Sequence, residues 1–337
     1  MEKDTKDIGD MAVVIIGRNE GGRLELCLRS VIDSGVGQYV YVDSLSSDAS
    51  VEIAAKLGVP TTVLDMGKPL SAARGRNTGF EWIRKLPIEI EYIHFIDGDC
   101  ELDNKWLEEA KNTLCKTDHV AVVCGRLREK NPTSSVYSKL CDIAWYMKPG
   151  EITSCGGITT VRASVFDELK GFDESLIAGE EAEFCNRVAN DGHKLVCIDA
   201  VMGSHDSAIK EYSQWWIRSI RTGFAFASAE KWGQNNKRRS LVIWGAVYPL
   251  LIIFSLLIAP IFTLVLFFIL VVQIFRLYMR LNIPYSRKDK LLYSFFCMHD
   301  KIPEFLGFLK YRRGKKNGTV HELIEYKTEQ GKNGGGK

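Results

Sequence analysis

Two aspartates separated by one glycine form the most chemically suggestive group in the sequence. Asp97-Gly98-Asp99 directly follows the apolar run YIHFI at residues 92–96, so both carboxylates are expected where a buried strand opens to solvent. Carboxylate oxygens suit Mg²⁺ and Mn²⁺, which bridge to substrate phosphates. Alone, the motif is more typical of a turn, because Asp and Gly favour turns. The preceding strand and the groups described below favour a divalent cation instead.

Basic residues that suit phosphate oxygens precede this motif. In SAARGRN at residues 71–77, Arg74 and Arg76 stand two positions apart, and Asn77 follows directly. A guanidinium group can pair with a phosphate through two parallel hydrogen bonds. In isolation, however, arginines on a helix are usually only part of a solvated face.

Glutamates at the start of a later helix are candidates for acid–base chemistry. Glu180, Glu181 and Glu183 follow Gly179. A carboxylate at Glu181, in a glycine-opened turn before the helix, could accept a proton from a hydroxyl group. The alternative is that these acids only decorate the first helical turn, where negative charge is favoured.

His205 is a third kind of candidate. It follows a strand expected at residues 194–199 and ends a segment of turn-forming residues. A lone histidine is more often structural than a ligand, but imidazole also suits a third metal-ligand position or a diphosphate contact. The sequence leaves these alternatives open.

The pattern of apolar residues predicts alternating strands and helices that would position these groups. Strands are predicted at residues 11–17, 39–43, 61–64, 92–96 and 120–124, and helices at residues 24–31, 48–58, 71–86 and 104–114. Such alternation is typical of an α/β fold with a mainly parallel sheet and helices on both faces. Ligands bind such sheets outside the carboxyl ends of the strands. Arg18, Glu20, Asp43 and Asp97 all come at strand ends, so one cleft is expected to collect them.

Charge is distributed unevenly along the chain. The formal net charge of the 337 residues is +2, but residues 276–316 hold 11 Lys and Arg against 3 Asp and Glu. The preceding part is acidic overall, which excludes a uniformly basic nucleic-acid binder, so no nucleic-acid partner is expected. The nine cysteines include no Cys-x-x-Cys pair. This favours a reducing compartment and argues against a disulfide framework or a zinc site.

A long apolar segment predicts attachment to a membrane. Residues 241–275 contain no Asp, Glu, Lys, Arg or His, and Pro260 lies near the middle. One helix of that length would span about 52 Å, against a hydrocarbon core of about 30 Å. Positive residues flank both ends, which favours a transmembrane hairpin at residues 240–275 with both ends in the cytoplasm. One strongly tilted, kinked helix is the alternative.

Two further segments have the aromatic and cationic composition of the lipid headgroup zone. Residues 209–239 and 276–316 are predicted to be amphipathic and interfacial, and helices packed on the soluble body are the alternative. Residues 11–208 form the predicted soluble domain, between flexible ends at 1–10 and 317–337. Because the N-terminus lacks the apolar core of a signal peptide, the soluble domain is expected on the cytoplasmic face of the membrane.

Six stretches of the sequence, in this order, resemble glycosyltransferase family 2, the inverting enzymes with the GT-A nucleotide-sugar fold. The resemblance covers about residues 10–232. The stretches are VVIIGRNEG, YVDSLSSDAS, SAARGRNTG, YIHFIDGDC, CGGITTVRASVFDELKGFDE and GEEAEFCNRVANDG. The apolar hairpin with its basic tail is similar to the membrane-attached branch of the family, which builds surface polysaccharides or lipid-linked sugars.

The resemblance implies roles for individual residues. It implies that Glu181 is the catalytic base and that Asp99 holds the metal ion with Asp97, while His205 stays a candidate third ligand. The implied nucleotide-sugar-binding residues are Asp43, Arg76, Asn77, Asp97, Arg18 and Glu20. The implied acceptor-side residues are Gly156, Gly157, Arg162 and Glu180, and the candidates for further diphosphate contacts are Arg218 and Arg221. Asp48 matches the last Asp of a nucleotide motif or caps a helix.

Two positions depart from the family's pattern. Ser44 and Leu45 follow Asp43 where the family usually has Asp-Gly, and Glu181 replaces the usual Asp of the base motif. The Gln-x-x-Arg-Trp motif of processive synthases is absent, which favours a non-processive enzyme.

The resemblance therefore implies an inverting transferase that depends on Mg²⁺ or Mn²⁺. It would move a sugar from a nucleotide-diphosphate donor, with a UDP-sugar favoured, to a hydroxyl of a saccharide or lipid-linked acceptor. Membrane lipids are the other expected partners. Two alternatives stay open: transfer to a polyprenyl phosphate, which needs no general base, and a non-catalytic, nucleotide-sugar-binding membrane subunit.

Overall fold

The protein is described by a computed structural model over residues 8–228 and 235–317. The flexible N-terminus predicted at residues 1–10 lies outside the described residues up to residue 7. The flexible tail predicted at residues 317–337 lies outside them from residue 318 onward.

Short apolar runs rich in β-branched residues form the main strands, as the sequence predicts. The strands are β1 (Met11–Gly17), β2 (Gln38–Asp43), β3 (Thr61–Val63), β4 (Tyr92–Asp97), β5 (Cys100–Leu102), β6 (Val120–Glu129), β7 (Gly150–Ile152), β8 (Thr159–Arg162) and β9 (Lys194–His205). The prediction of turns before His205 is wrong, because β9 runs on to His205. Its last residues pair with β5 on one side and β6 on the other, and this pairing overrides their turn-prone composition.

Helices follow most strands, and their buried residues recur every three or four positions. In α1, for example, the predicted stripe of Leu24, Cys27, Leu28 and Val31 is buried. The helices are α1 (Gly22–Asp33), α2 (Ser50–Lys56), α3 (Ala72–Ile83), α4 (Trp106–Cys115), α5 (Val136–Ala144), α6 (Ala163–Glu168), α7 (Glu180–Asn190), α8 (Tyr212–Ser228), α9 (Asn235–Val242), α10 (Tyr248–Ile258), α11 (Pro260–Arg280), α12 (Arg287–His299) and α13 (Lys301–Asn317). A π-helical stretch, Ile243–Val247, joins α9 to α10.

Among the described residues, nine strands form one sheet in the order β3-β2-β1-β4-β8-β6-β9-β5, and β7 pairs with β9. The first four strands are mutually parallel, β8 runs antiparallel between β4 and β6, and β6 and β9 are parallel to each other. The sheet is therefore mainly parallel, with antiparallel additions. This confirms the predicted α/β fold class.

The chain divides into two compact units. The first comprises Met1–Asn131 and Trp145–Ser207 and holds the whole sheet. The second comprises Pro132–Ala144 and Ala208–Lys337. Thus α5, from the middle of the predicted soluble domain, groups with the C-terminal helices. The predicted boundary near residue 208 otherwise coincides with the division.

The second unit contains two helical segments long and apolar enough to cross a membrane, Arg238–Ile258 and Pro260–Arg280. Ser255 hydrogen bonds to Thr263, and Tyr248 donates to the Leu266 carbonyl, so the two segments run antiparallel. The second segment ends at Arg280, beyond the predicted end at residue 275. Part of the predicted interfacial segment, residues 229–234, lies outside the described residues.

Candidate active site

The carboxyl ends of the parallel strands bring the predicted acidic residues to one edge of the sheet. Gly17 at the end of β1 pairs with Asp43 of β2, and Ile16 pairs with Asp97 of β4. The sharp turn after β4 then carries Asp99, and its Gly98 lies close to the Ile16 carbonyl and to Glu20. Because these strands are parallel and in register, their polar ends cannot separate without breaking the sheet.

Asp99 and His205 form the part of this edge that suits a metal ion. Asp99 Oδ2 lies 3.0 Å from His205 Nε2, since Cys100 on β5 pairs directly with His205 on β9. The Cys100 thiol lies close by and donates to Asp99 Oδ1. Burial, with the charges of nearby aspartates, raises the pKa of the Cys100 thiol, and thiolate sulfur suits softer metals than Mg²⁺ or Mn²⁺. One carboxylate and one imidazole remain, a donor set that fits Mn²⁺ well.

Asp97, also predicted at the metal, is bonded to a neighbouring arginine. Its Oδ1 accepts a hydrogen bond of 3.0 Å from Nη2 of Arg76. Among the described residues, the cluster that could hold a metal comprises Asp99, Cys100 and His205, without Asp97. The charge of Asp97 is thus already paired by a buried guanidinium.

Arg76 is the centre of a buried charge network. Its side chain is only 2% exposed. Nη1 donates to Glu180 Oε1 at 2.9 Å and lies 3.9 Å from Glu181 Oε1. Burial tends to lower the pKa of Arg76, but the three neighbouring carboxylates outweigh it and raise that pKa. Arg76 is therefore charged, with Nη1 and Nη2 bonded to protein carboxylates and Nε buried without a hydrogen-bond partner among the described residues.

The two predicted glutamates of α7 differ in environment. Glu180 is buried, and burial together with the charge of Glu181 raises its pKa to about 8, in spite of Arg76. The Glu181 side chain is 26% exposed. Glu181 is therefore the one of the pair that can meet a substrate, whereas Glu180 faces the interior. The left-handed backbone of Gly179 (φ 86°) starts the helix and sets this orientation.

Gly157 packs directly against the network. A Cβ atom placed on Gly157 would lie 2.0 Å from Arg76 Nη2 and 3.2 Å from Glu181 Oε1. Gly156 is exposed and has no atom within 4 Å of such a position. The two adjacent glycines, both predicted on the acceptor side, are therefore in very different surroundings.

Asp43 is buried and holds the loop after β2. Its Oδ1 accepts from the Tyr41 hydroxyl at 2.7 Å, and its carboxylate also accepts from the Ser46 hydroxyl and backbone N–H. The unusual Ser44-Leu45 sequence is accommodated with Leu45 in a left-handed conformation (φ 58°). Because protein groups already occupy the carboxylate, the geometry gives no support to a base contact from Asp43.

Asp48 links two loops at the same edge. It accepts hydrogen bonds from the backbone N–H groups of Gly21 and Ser50. Asn19 does the same across the two loops, accepting from Ser47 N–H, while its own N–H donates to Ser46. Exposed Arg18 and buried Glu20 stand on the first of these loops.

Asn77 and Arg162, both predicted at the site, bond to backbone groups of neighbouring segments. The Asn77 amide donates to the Phe172 carbonyl and accepts from its N–H, which fixes the loop after α6. Arg162 pairs with Tyr92, at the opposite end of β4 from Asp97, and donates to the backbone carbonyls of Leu114, Thr117 and Val120. Because β8 runs antiparallel to β4, Arg162 lies away from the strand end that carries Asp97.

Two predicted diphosphate contacts lie in the other unit. Arg218 and Arg221 are partly buried residues of α8. One neighbour of the site was missed by the sequence reasoning: Trp145 stacks on the His205 ring, with centroids 4.6 Å apart. No local pattern identifies it, because the contact joins residues far apart in the chain.

Comparisons with known proteins agree with this geometry. Residues 12–161 match the family model for glycosyl transferase family 2. Glycosyltransferase AglE of Haloferax volcanii is 25% identical over 231 residues, which are 65% of this chain and 73% of that protein.

Two solved structures are similar to this chain to different degrees. The mannosyltransferase PcManGT from Pyrobaculum calidifontis, in complex with GDP-Man and Mn²⁺, has a TM-score of 0.50 at 16% identity, over 68% of this chain and 67% of that chain. TarS 1-349 of S. aureus in complex with UDP has a TM-score of 0.47 at 11% identity, over 94% and 93%. Of a longer TarS chain, this chain spans 43%.

The sheet order and the position of the acidic edge define a GT-A fold, the architecture of nucleotide-sugar transferases. Residues 12–161 match the family model of glycosyl transferase family 2, so this part of the chain is a glycosyltransferase domain of that family. The resemblance seen in the sequence is thereby confirmed.

Proposed function

We propose that the protein is an inverting, metal-dependent glycosyltransferase that uses a nucleotide-diphosphate sugar. One observation carries this proposal: Arg76 bonds to Asp97, next to the Asp99–His205 pair, and its Nη1 atom lies 3.9 Å from the partly buried Glu181 on α7. The proposed site of the leaving diphosphate and the proposed base are therefore neighbours of one side chain. A divalent cation bound at Asp99 and His205 would offset the negative charge that grows on the leaving diphosphate.

Glu181 is proposed to activate the acceptor hydroxyl for attack on the donor sugar. Glu181 accepts the proton of an acceptor hydroxyl, and the resulting oxygen nucleophile attacks the anomeric carbon. The bond from that carbon to the diphosphate oxygen breaks, and the electron pair leaves with the diphosphate. Since attack comes from the face opposite the leaving group, the anomeric configuration inverts.

The proposed donor is a nucleotide-diphosphate sugar whose base is either guanine or uracil. The mannosyltransferase of similar fold was solved with GDP-Man and Mn²⁺, which makes a guanosine-diphosphate sugar a candidate beside the UDP-sugar favoured from the sequence. The Asp99–His205 donor set favours Mn²⁺ over Mg²⁺, because Mg²⁺ prefers oxygen ligands only.

The acceptor is proposed to be saccharide or lipid-linked and reached at the cytoplasmic face of a membrane. Two antiparallel apolar segments and a basic following segment support this. Such an anchor would hold the first unit close to lipid headgroups.

Nucleotide binding and turnover test the proposal separately. The full chain in detergent is screened by thermal shift against GDP, UDP, GDP-mannose and UDP-glucose, with and without Mn²⁺. We expect a metal-dependent rise in melting temperature for one nucleotide, lost in Asp99→Ala. Glu181→Gln should keep that rise but lose nucleoside diphosphate release, by about 10³-fold or more.

A matched control isolates the base. Glu168 is an exposed carboxylate of α6, and Glu168→Gln should behave as the wild type. Near-normal turnover by Glu181→Gln would show that Glu181 is not the base. Metal-dependent nucleotide binding without any turnover by the wild type would support a non-catalytic subunit.

A further inference from the structure

We infer that the missing side chain at Gly157 is what allows Arg76 to orient the base Glu181, so that Gly157 and Arg76 are positioning residues for the reaction. The inference rests on the proposed function of Glu181. It assigns Arg76 an interior role in place of the diphosphate contact that the sequence suggested.

The first step is the position of Arg76. Its guanidinium is almost wholly removed from solvent and bonds to Asp97 through Nη2 and to Glu180 through Nη1. One face of the guanidinium lies over the Phe172 ring, 5.5 Å from the centroid. A side chain held in this way has little freedom to turn toward a substrate, but it presents a fixed positive charge 3.9 Å from Glu181 Oε1.

The second step is the space that Gly157 leaves. A methyl group there would overlap Nη2 of Arg76 at 2.0 Å and its Cζ at 2.8 Å, and it would press on Glu181 Oε1 at 3.2 Å. Real Cβ atoms do not approach other atoms so closely, so the guanidinium would have to move. Its Nη1 atom is bonded to the Glu180 side chain, which is only 5% exposed, so a movement of the guanidinium would change its geometry toward Glu180 and Glu181.

The third step is the neighbouring glycine. Gly156 offers the same substitution next to Gly157, with nothing within 4 Å of the added atom. Neither glycine is among the residues with positive φ. A difference between alanine variants at the two positions therefore reports the contact with Arg76 rather than backbone strain.

The experiment compares Gly157→Ala with Gly156→Ala in the full-length protein. The rate is nucleoside diphosphate release from GDP-mannose or UDP-glucose, whichever the wild type turns over, and donor affinity is measured by thermal shift with Mn²⁺. We expect Gly157→Ala to lower kcat about 10²-fold with donor affinity unchanged, as a displacement of about 1 Å in a catalytic group does. Gly156→Ala should lower kcat much less than Gly157→Ala does, and Gly37→Ala, at an exposed glycine outside the site with nothing within 4 Å of the added atom, should stay within about twofold.

A double-mutant cycle identifies the partner. A lysine at position 76 keeps the charge but lacks the Nη2 branch that the methyl group meets. In the Arg76→Lys background, Gly157→Ala should therefore cost much less than it does beside the native arginine. An equal cost in both backgrounds would overturn the inference.

The melting temperature gives a reading that needs no turnover. Gly157→Ala should melt below Gly156→Ala, because it disrupts a buried ion network. Equal melting temperatures and equal rates for the two variants would refute the positioning role. If Glu181→Gln is inactive in the same assay, only the positioning role is refuted and the proposed function still holds. If Glu181→Gln is active, Glu181 is not the base.

Discussion

His205 is held from two directions at the proposed metal site. Its Nε2 atom lies 3.0 Å from Asp99 Oδ2, and the indole of Trp145 covers one face of its ring at an angle of 20°. A stacked indole restricts rotation of the imidazole. Groups that orient a metal-binding histidine in this way contribute to metal affinity without touching the metal. Trp145 is accordingly expected to be a positioning residue for His205.

Replacing Trp145 tests this expectation directly. Trp145→Ala should weaken Mn²⁺ binding about tenfold, because losing an orienting partner typically costs 10- to 100-fold in affinity. Trp145→Phe keeps a flat ring and should lose about threefold or less. Titration of Mn²⁺ without nucleotide, followed by electron paramagnetic resonance, measures both, with His205→Ala as the reference for losing the ligand. Equal dissociation constants for Trp145→Ala and the wild type would contradict an orienting role.

At the scale of elements, glycines set how closely α8 and α13 approach. A Cβ atom on Gly307 would lie 1.9 Å from the Ile220 carbonyl oxygen, and one on Gly223 would lie 1.8 Å from that of Glu304. The backbones of the two helices are thus in contact at reciprocal glycines. A side chain at either position would push the helices apart along their shared length.

At this scale we predict that a Gly→Ala substitution in a helix destabilises the protein, although it normally stabilises a helix. Alanine normally stabilises a helix by about 1 kcal/mol over glycine. Gly307→Ala is expected to destabilise the second unit by about 1–3 kcal/mol instead, because overpacking outweighs propensity. Gly22→Ala in α1, where nothing lies within 4 Å, should not destabilise. Thermal unfolding of both variants measures the contrast, and a stabilised Gly307→Ala protein would show that the helices do not pack this closely.

Elements also show where sequence reasoning succeeds. The strands β1 and β4 and the stripe of α1 follow from local patterns, and the parallel register then places Asp43 and Asp97 at one edge. The direction of β8 does not follow from its own residues, so the position of Arg162 could not be predicted. The extension of β9 depends on two partner strands, and the burial of Arg76 depends on a glycine far away in the sequence. Such contacts are set by tertiary packing, which a local pattern does not contain.

At the scale of the whole molecule, the second unit exposes a large apolar surface, and contact of such a surface with water is energetically unfavourable. In the segment Arg238–Ile258 only 17% of the most apolar window is buried within the protein, and in Pro260–Arg280 none is. Each segment has 21 residues, about 32 Å of helix, which matches a hydrocarbon core of about 30 Å. An exposed apolar surface of this extent is expected to be covered by lipid.

The two segments also predict a topology that differs from that of a single crossing. Only Ala259 separates them, and Ser255 bonds to Thr263 across the pair, so their outer ends lie on one side. Arginines at 238, 239, 276 and 280 stand at those ends, which favours the cytoplasm for both.

Reporter domains fused before residue 1 and after residue 337 should therefore both report the cytoplasm, whereas a fusion after residue 259 should report the opposite side. Opposite locations for the two terminal fusions would establish one long crossing, and a cytoplasmic report from residue 259 would establish a hairpin that enters the membrane without crossing it. One long crossing would place the basic segment at residues 276–316 on the side of the membrane opposite the cytoplasm. That result would contradict the proposal that the protein reaches a lipid-linked acceptor at the cytoplasmic face.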